Sequence, residues 1–377
     1  MNRIIPTYLF LWLLLFCVTA LAEGNTFYVS ESGDNDNEGS LMAPWRDIQY
    51  AIDHPEVTDG DTIMVMDGTY RENVDVDKEL TIQSVNGRDS TTVRTLDTND
   101  HVFEVTSDNV TIKGFRVHSA TGNFKAGIYL GTGTDHCIIS NNRGTGCYYG
   151  CYLYISASNM IEGNIFNDNT DHGLRLYNSS NNRLYSNVCS YNDKNGMHLN
   201  GGSNHNKIID NQCTYNSYNG VEVNDSEYNQ LRENYCGSNL QSGIYLVLSS
   251  SYNTIMQNEC KYNTLYGINI SDSSNNYIYF NEITDNLEAN VESSGSTNVW
   301  HPPKEIAYRF LGMNVTRGYL GNYYGDYGSA DVNFDGISDT PYDLPGTEPD
   351  DTYALFRWLS WYRIVKPVLP NLLLLFE

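Results

Sequence analysis

The chain has 377 residues, of which 40% are hydrophobic and only 18% charged, with thirty Tyr and a formal net charge of -24. That length can bury a long core, and the dense Asn, Ser, Gly and Tyr usage favours strands and turns over helices. A charge of this sign repels nucleic acid, and it repels polyuronates too unless cations bridge them, so the partner expected is a neutral glycan or an acidic one with help from Ca²⁺.

Residues 1–22 have the layout of a signal peptide, with Arg3 ahead of an apolar stretch from Leu9 to Val18 and a small-residue cleavage site at Ala20-Leu21-Ala22. Phe16 before Cys17 argues against a lipid anchor. The closing Leu372 to Phe376 run is far short of the roughly 20 apolar residues of a membrane span. A secreted, periplasmic or cell-surface protein without a transmembrane anchor is expected.

Residues 23–125 form an N-terminal cap and the first, looser coils. Pro44-Trp45 leads into a short amphipathic segment whose Ile48, Ala51 and Ile52 share one face, suited to cover the open end of a stack. Gly60-Asp61-Thr62-Ile63 and Gly68-Thr69-Tyr70 begin the winding.

From 126 to 296 a single period takes over. Glycines at 127, 150, 173, 196, 220, 243 and 267 stand 23 or 24 residues apart, and each opens a short strand. The first and third residues after every glycine are apolar, as in Leu174 and Leu176 or Val221 and Val223, so they point inward. A period in the twenties with one inward face per strand predicts an all-β, right-handed parallel β-helix. Two asparagine columns keep the period, Asn141 to Asn281 and Asn169 to Asn286, and are expected to mark left-handed turns and to stack their amides along the axis. Cys189, Cys213, Cys236 and Cys260 form a further column, read as buried thiols, with disulfides or a soft-metal column as alternatives.

The residue between the two inward positions faces out and gives a stripe of Tyr129, Tyr152, Arg175, His198, Glu222, Tyr245 and Asn269, flanked by Tyr154 and Tyr177. Aromatic faces beside hydrogen-bonding groups suit sugar rings, so Tyr129, Tyr152, Tyr154, Tyr177 and Tyr245 are candidate glycan-binding residues. Arg175, His198 and Glu222 occupy adjacent coils, with Asp171 and His172 at the sheet edge. Removing a proton beside a uronate carboxyl needs a cation, a base and an acid; Arg175, His198 and Tyr152 or Tyr245 can fill those roles. An ordinary charge ladder on a wet face is the competing reading, and a glycosidase lacks a second facing carboxyl.

Residues 297–377 form a C-terminal capping module. Asp331-x-Asn333-x-Asp335-Gly336-x-x-Asp339 reproduces the first nine positions of a Ca²⁺ loop, but Tyr342 stands where the bidentate Glu belongs, which predicts weak affinity.

The opening residues Phe27-Tyr28-Val29-Ser30, Gly33-Asp34, Gly39-Ser40, Pro44-Trp45 and Gly68-Thr69-Tyr70 resemble the start of secreted pectin-lyase-like β-helices, a group of lyases, hydrolases, epimerases and proteins without known activity. The central coils with Asn298-Val-Trp-His301, Gly321-Asn-Tyr-Tyr-Gly-Asp-Tyr327 and Asp335-Gly-Ile-Ser-Asp-Thr-Pro-Tyr342 resemble the NosD-type β-helix family, where a Trp commonly stands at the place of Tyr324. That resemblance implies a surface or periplasmic β-helix and raises copper as a cofactor. Met197, His198 and His301 do not make the Met-rich or closely spaced His cluster that copper wants. The Asp-Pro-His-Asp signature of alginate epimerases is missing, Asp171-His172-Gly173 being only similar to it. Three functions follow: a structural or polysaccharide-binding solenoid, a polysaccharide lyase or uronate epimerase, and a copper-binding accessory protein.

Overall fold

The computed structural model describes residues 24–346 and 348–365; the signal-peptide segment 1–22 and the apolar tail 372–376 lie outside the described residues. Among the described residues no helix is long and apolar enough to cross a membrane.

Short strands of two to six residues wind into coils whose walls are parallel sheets. One wall is an eleven-stranded sheet, a second a ten-stranded sheet, and the third is two five-stranded sheets joined through bridges at Val188. The inward residues named above are fully buried in one continuous core, with Ile, Leu and Val stacked on their equivalents in neighbouring coils. The helix Ile48–Asp53 closes the N-terminal end, burying Ile48, Ala51 and Ile52. The Glu72 carboxylate accepts from the Ile48 and Gln49 amides at 3.0 and 2.8 Å, so it satisfies donors of the first turn that have no intrahelical partner. At the other end Thr316–Gly318, Ile306–Phe310 and Tyr362–Ile364 form an antiparallel three-stranded cap.

The asparagines hold the corners together. Asn187 donates its backbone N–H to Asn211 Oδ1 at 2.9 Å and its amide to the same oxygen at 3.1 Å, and it reaches Ile161 O one coil back at 2.7 Å. The same pattern repeats from Asn164 to Asn281 and from Asn169 to Asn286. Two corrections apply. The first rung of one column is the buried Asn142, bonded to Asn164 Oδ1 at 2.9 Å, and not the exposed Asn141. The left-handed residue is also not the ladder asparagine but the one before it, as at Asn141, Ser186, Asp210, Glu233 and Tyr191. Turning the chain falls to a residue whose side chain points to solvent, so its type is free, whereas the next position must supply an amide. A third ladder, Asn159 to Asn298, and a serine ladder, Ser156 to Ser296, line the remaining corner.

Every ladder runs one way, each rung donating towards the C-terminus, so the last rung needs an acceptor. The C-terminal module supplies carboxylates. Asp351 receives Asn322, Glu348 receives both the backbone and side-chain N–H of Asn298 at 2.7 Å, and Asp326 receives Asn290 at 2.7 Å. Cys213, Cys236 and Cys260 are in parallel register, and the seven described cysteines are buried and unpaired.

Candidate functional site

The outer face of the ten-stranded sheet carries the stripe. Strand pairing places Tyr129, Tyr152, Arg175, His198, Glu222, Tyr245 and Asn269 side by side in successive coils, and Tyr154 beside Tyr177. Parallel in-register pairing sets neighbours about 4.8 Å apart, close enough for rings to touch.

The first half of the stripe is an aromatic cluster around one cation. Tyr129 and Tyr152 lie 5.5 Å apart, Tyr154 stacks on Tyr177 at 5.4 Å, and His101 stacks on Tyr129 at 4.2 Å. The Arg175 guanidinium is 5.2 Å from the Tyr149 ring, 5.3 Å from Tyr152 and 5.9 Å from Tyr177, and it donates to the Tyr149 hydroxyl. These are cation–π contacts of the kind that hold an arginine in place without neutralising it. Among the described residues no carboxylate lies within ion-pair distance of Arg175, and its Nε is buried without a partner. Burial raises the Tyr149 phenol well above its usual range and lifts Tyr129 and Tyr152 to about 12, the Arg175 charge opposing this at Tyr149 and Tyr152.

The second half is a buried polar chain. The Asn195 backbone N–H donates to His172 Nδ1 at 3.2 Å, so a neutral His172 carries its proton on Nε2, which faces His198 Nδ1 at 3.0 Å. That leaves the His198 proton on Nε2, 3.5 Å from Glu222 Oε1. Burial, with the neighbouring His198 and the Arg175 charge, drives His172 well below its usual value; burial takes His198 to about 4 against the pull of Glu222. Glu222 is fixed by the side-chain amides of Asn195 at 2.9 Å and Asn219 at 3.1 Å. Asp171, itself buried, approaches His172 Nε2 at 3.0 Å and pairs with Lys194.

The structure therefore brings Tyr129, Tyr152, Tyr154, Tyr177 and Arg175 into one cluster and joins His198 to Glu222, while Tyr245 stands beyond Glu222 and touches none of these rings. Tyr149, Asn195 and Asn219 escaped the sequence reading. Alternation counted back from Cys151 turns Tyr149 inward, yet its ring sits against that of the outward Tyr152 at 5.1 Å. The signal that would have found it is the column just before the repeat glycine: Ala126, Tyr149, His172, Asn195, Asn219 and Ser242.

The tail loop is placed as a tight turn. Asp331 accepts from the Asp335 and Gly336 amides at 3.1 and 3.0 Å, Asn333 Oδ1 from Asp335 N at 3.0 Å, Asp335 from Ile337 N at 2.7 Å, and Asp339 from Val332 N at 2.8 Å.

A family model described as periplasmic copper-binding protein (NosD) matches residues 56–221 and 201–329, well over half of the chain. A cell surface glycoprotein of Methanothermus fervidus is 39% identical over 95 residues, a stretch that is 25% of this chain and only 15% of that protein. Among solved structures, the A-module of the mannuronan C-5 epimerase AlgE4 of Azotobacter vinelandii superposes with a TM-score of 0.53 at 15% identity, covering 63% of this chain and 79% of that one. The Dettilon tailspike protein gp208 gives 0.58 at 14% identity, covering 79% of this chain and 66% of its own. Likenesses this remote speak for the fold alone. For the copper in the family's description, no group of three or more His, Cys, Asp or Glu suited to a metal ion is found among the described residues. The matched span, the coil period and the closing module agree, and the chain belongs to the NosD family of parallel β-helix proteins.

Proposed function

We propose that this protein works outside the cytoplasm on an acidic polysaccharide, gripping it along the outer face of the ten-stranded sheet and acting at a uronate as a C5 epimerase or β-eliminating lyase. One observation carries the reading. In a chain of net charge -24, Arg175 is held on an outer face by three tyrosines and by no acid among the described residues. A guanidinium so placed keeps its charge for an incoming carboxylate, and neutralising that carboxylate is what acidifies the neighbouring C–H. The phenol of Tyr152, kept protonated by burial, suits proton donation to the sugar. The lone pair of His198 is on Nδ1, which accepts from His172, while its Nε2 proton faces Glu222, so proton abstraction by it requires the His172 contact to open. The mannuronan C-5 epimerase module named above, which has a similar fold, supports the reading at the level of the fold.

A second reading, a glycan-binding face without turnover, is favoured by the satisfied hydrogen bonding of Glu222. Incubating the protein with a panel of polyuronates in D₂O separates the two. Deuterium at C5 or an unsaturated product supports the enzyme, and its loss by at least about a hundredfold in Arg175→Ala places the chemistry at this face. Retention of a polyuronate on an array without exchange supports binding alone. Neither retention nor exchange defeats both.

A further inference from the structure

The chain holds five Asn-x-Ser/Thr sequences, at Asn109, Asn178, Asn224, Asn269 and Asn314. Such a sequence is an acceptor for an N-linked glycan, a bulky surface group that a folded protein accommodates best on an exposed loop. The structure sorts the five. Asn109 donates to Glu79 Oε2 at 3.2 Å and Thr111 opens a strand in the eleven-stranded wall. The Ser180 hydroxyl after Asn178 donates to Gly202 O at 3.3 Å. Ser226 after Asn224 is a fully buried rung of the serine ladder. Asn269 and Ser271 both lie inside the strand Tyr266–Ser271. At all four the hydroxyl-bearing residue belongs to a wall strand, a ladder rung or a hydrogen-bonded corner of a coil.

Asn314 differs on every count. It sits at the tip of the hairpin between Ile306–Phe310 and Thr316–Gly318, and the second of these is the edge strand of the cap. Asn314, Val315 and Thr316 are all exposed, and no side-chain hydrogen bond holds Asn314 or Thr316 among the described residues. The same tip shows water three apolar side chains, Leu311, Met313 and Val315, exposed by 49, 43 and 46%. An apolar cluster at the end of a hairpin is a liability for a secreted protein, and a sugar on the central residue would screen it.

We propose that Asn314 is N-glycosylated. The donor is a lipid-linked oligosaccharide, its anomeric carbon bonded to the phosphate of a polyisoprenyl carrier. Asn314 Nδ2 attacks that carbon, a new C–N bond forms as the anomeric C–O bond breaks, the carrier phosphate leaves with the bonding pair, and Nδ2 gives one proton to a base of the transferase. Nothing is oxidised or reduced.

The test is peptide mass spectrometry on the protein isolated from the cells that make it, compared with Asn314→Gln, Thr316→Ala and Thr316→Ser expressed in the same cells. The expected result is a glycan mass on the Asn314 peptide of wild type, its complete loss in Asn314→Gln and Thr316→Ala, and its retention in Thr316→Ser, with the peptides of Asn109, Asn178, Asn224 and Asn269 bare. Thermal melting of the variants checks that each is folded; among the described residues the side chains of Asn314 and Thr316 make no hydrogen bond whose loss would unfold the cap. A wild-type Asn314 peptide found entirely unmodified overturns the proposal, and so does a glycan that persists in Thr316→Ala.

Discussion

Asn322 donates its backbone N–H and its side-chain amide to the same oxygen of Asp351, at 2.8 and 3.2 Å, in the place where every earlier asparagine of the ladder finds another asparagine. The same oxygen takes the Tyr324 hydroxyl at 3.1 Å, and the second oxygen takes the Tyr353 amide at 3.1 Å. A buried carboxylate is thus the end of the ladder.

Asp351→Ala leaves those donors unpaired in a dry site and should cost about 3 kcal/mol or more, whereas Asp351→Asn keeps an acceptor for Asn322 and should cost about 1 kcal/mol. Burial raises the Asp351 carboxyl from 3.8 to about 7 against its donors. The folded state therefore holds a proton that the unfolded chain releases, so this residue's contribution is complete below about pH 4 and is lost as pH rises towards about 7. Denaturant titrations across that window should show Asp351→Asn lacking this component.

His198 has the opposite sign. Its imidazole is held neutral, near 4 against an ordinary 6.5, so its contribution to stability is complete above about 6.5 and is lost as pH falls towards 4. His198→Gln should flatten the acid side of the stability profile, in the direction contrary to Asp351→Asn. Equal slopes in wild type and variant would show that the ring is not buried as described.

Inside the ladders an amide cannot be exchanged for an acid. Asn211 takes two donors from Asn187 and gives its own amide to Asn234, Leu184 and Ile209. Asn211→Ala should lose about 2 to 4 kcal/mol, and Asn211→Asp more at neutral pH, because its charge would face three acceptors. Acidifying the Asp variant should restore part of the loss by returning a proton to donate. Thermal melts at two pH values decide this.

The acidic loop Asp331 to Asp339 is proposed to hold Ca²⁺ and stiffen the cap. Added Ca²⁺ should then raise the melting temperature of wild type and leave Asp335→Ala unmoved. A wild type indifferent to both Ca²⁺ and chelator reduces the loop to a turn.

Much of the fold is written in the period. Apolar residues two apart after each repeat glycine specify inward faces, and Ile48, Ala51 and Ile52 specify a helical lid, because alternation and helical spacing are local rules. The corners were less legible. A run such as Asn141-Asn142 offers two candidates for one rung, and which one turns and which one bonds depends on backbone angles set by the coil below. At the site, the outward column was readable through Tyr152 and Arg175, but Tyr149 was hidden because strict alternation from Cys151 sends it inward, and the direction of the His172 and His198 protons follows from a backbone amide of another coil. The acids that end the ladders are invisible to sequence because Asp351 lies 29 residues from its partner and outside the repeat.

In the two ladders that run from Asn142 to Asn322 and from Asn169 to Asn286, every joint between asparagines is chemically the same, a backbone N–H and a side-chain amide given to one oxygen of the next coil, whichever pair of coils it links. A coil can therefore be duplicated or deleted within the array without re-tailoring either end. Length becomes a quantity that evolution can tune independently of the lid and the stop. Only a change at the terminal carboxylates would need a matching change elsewhere, so insertions should accumulate between residues 126 and 296 and be scarce beside Asp326, Glu348 and Asp351.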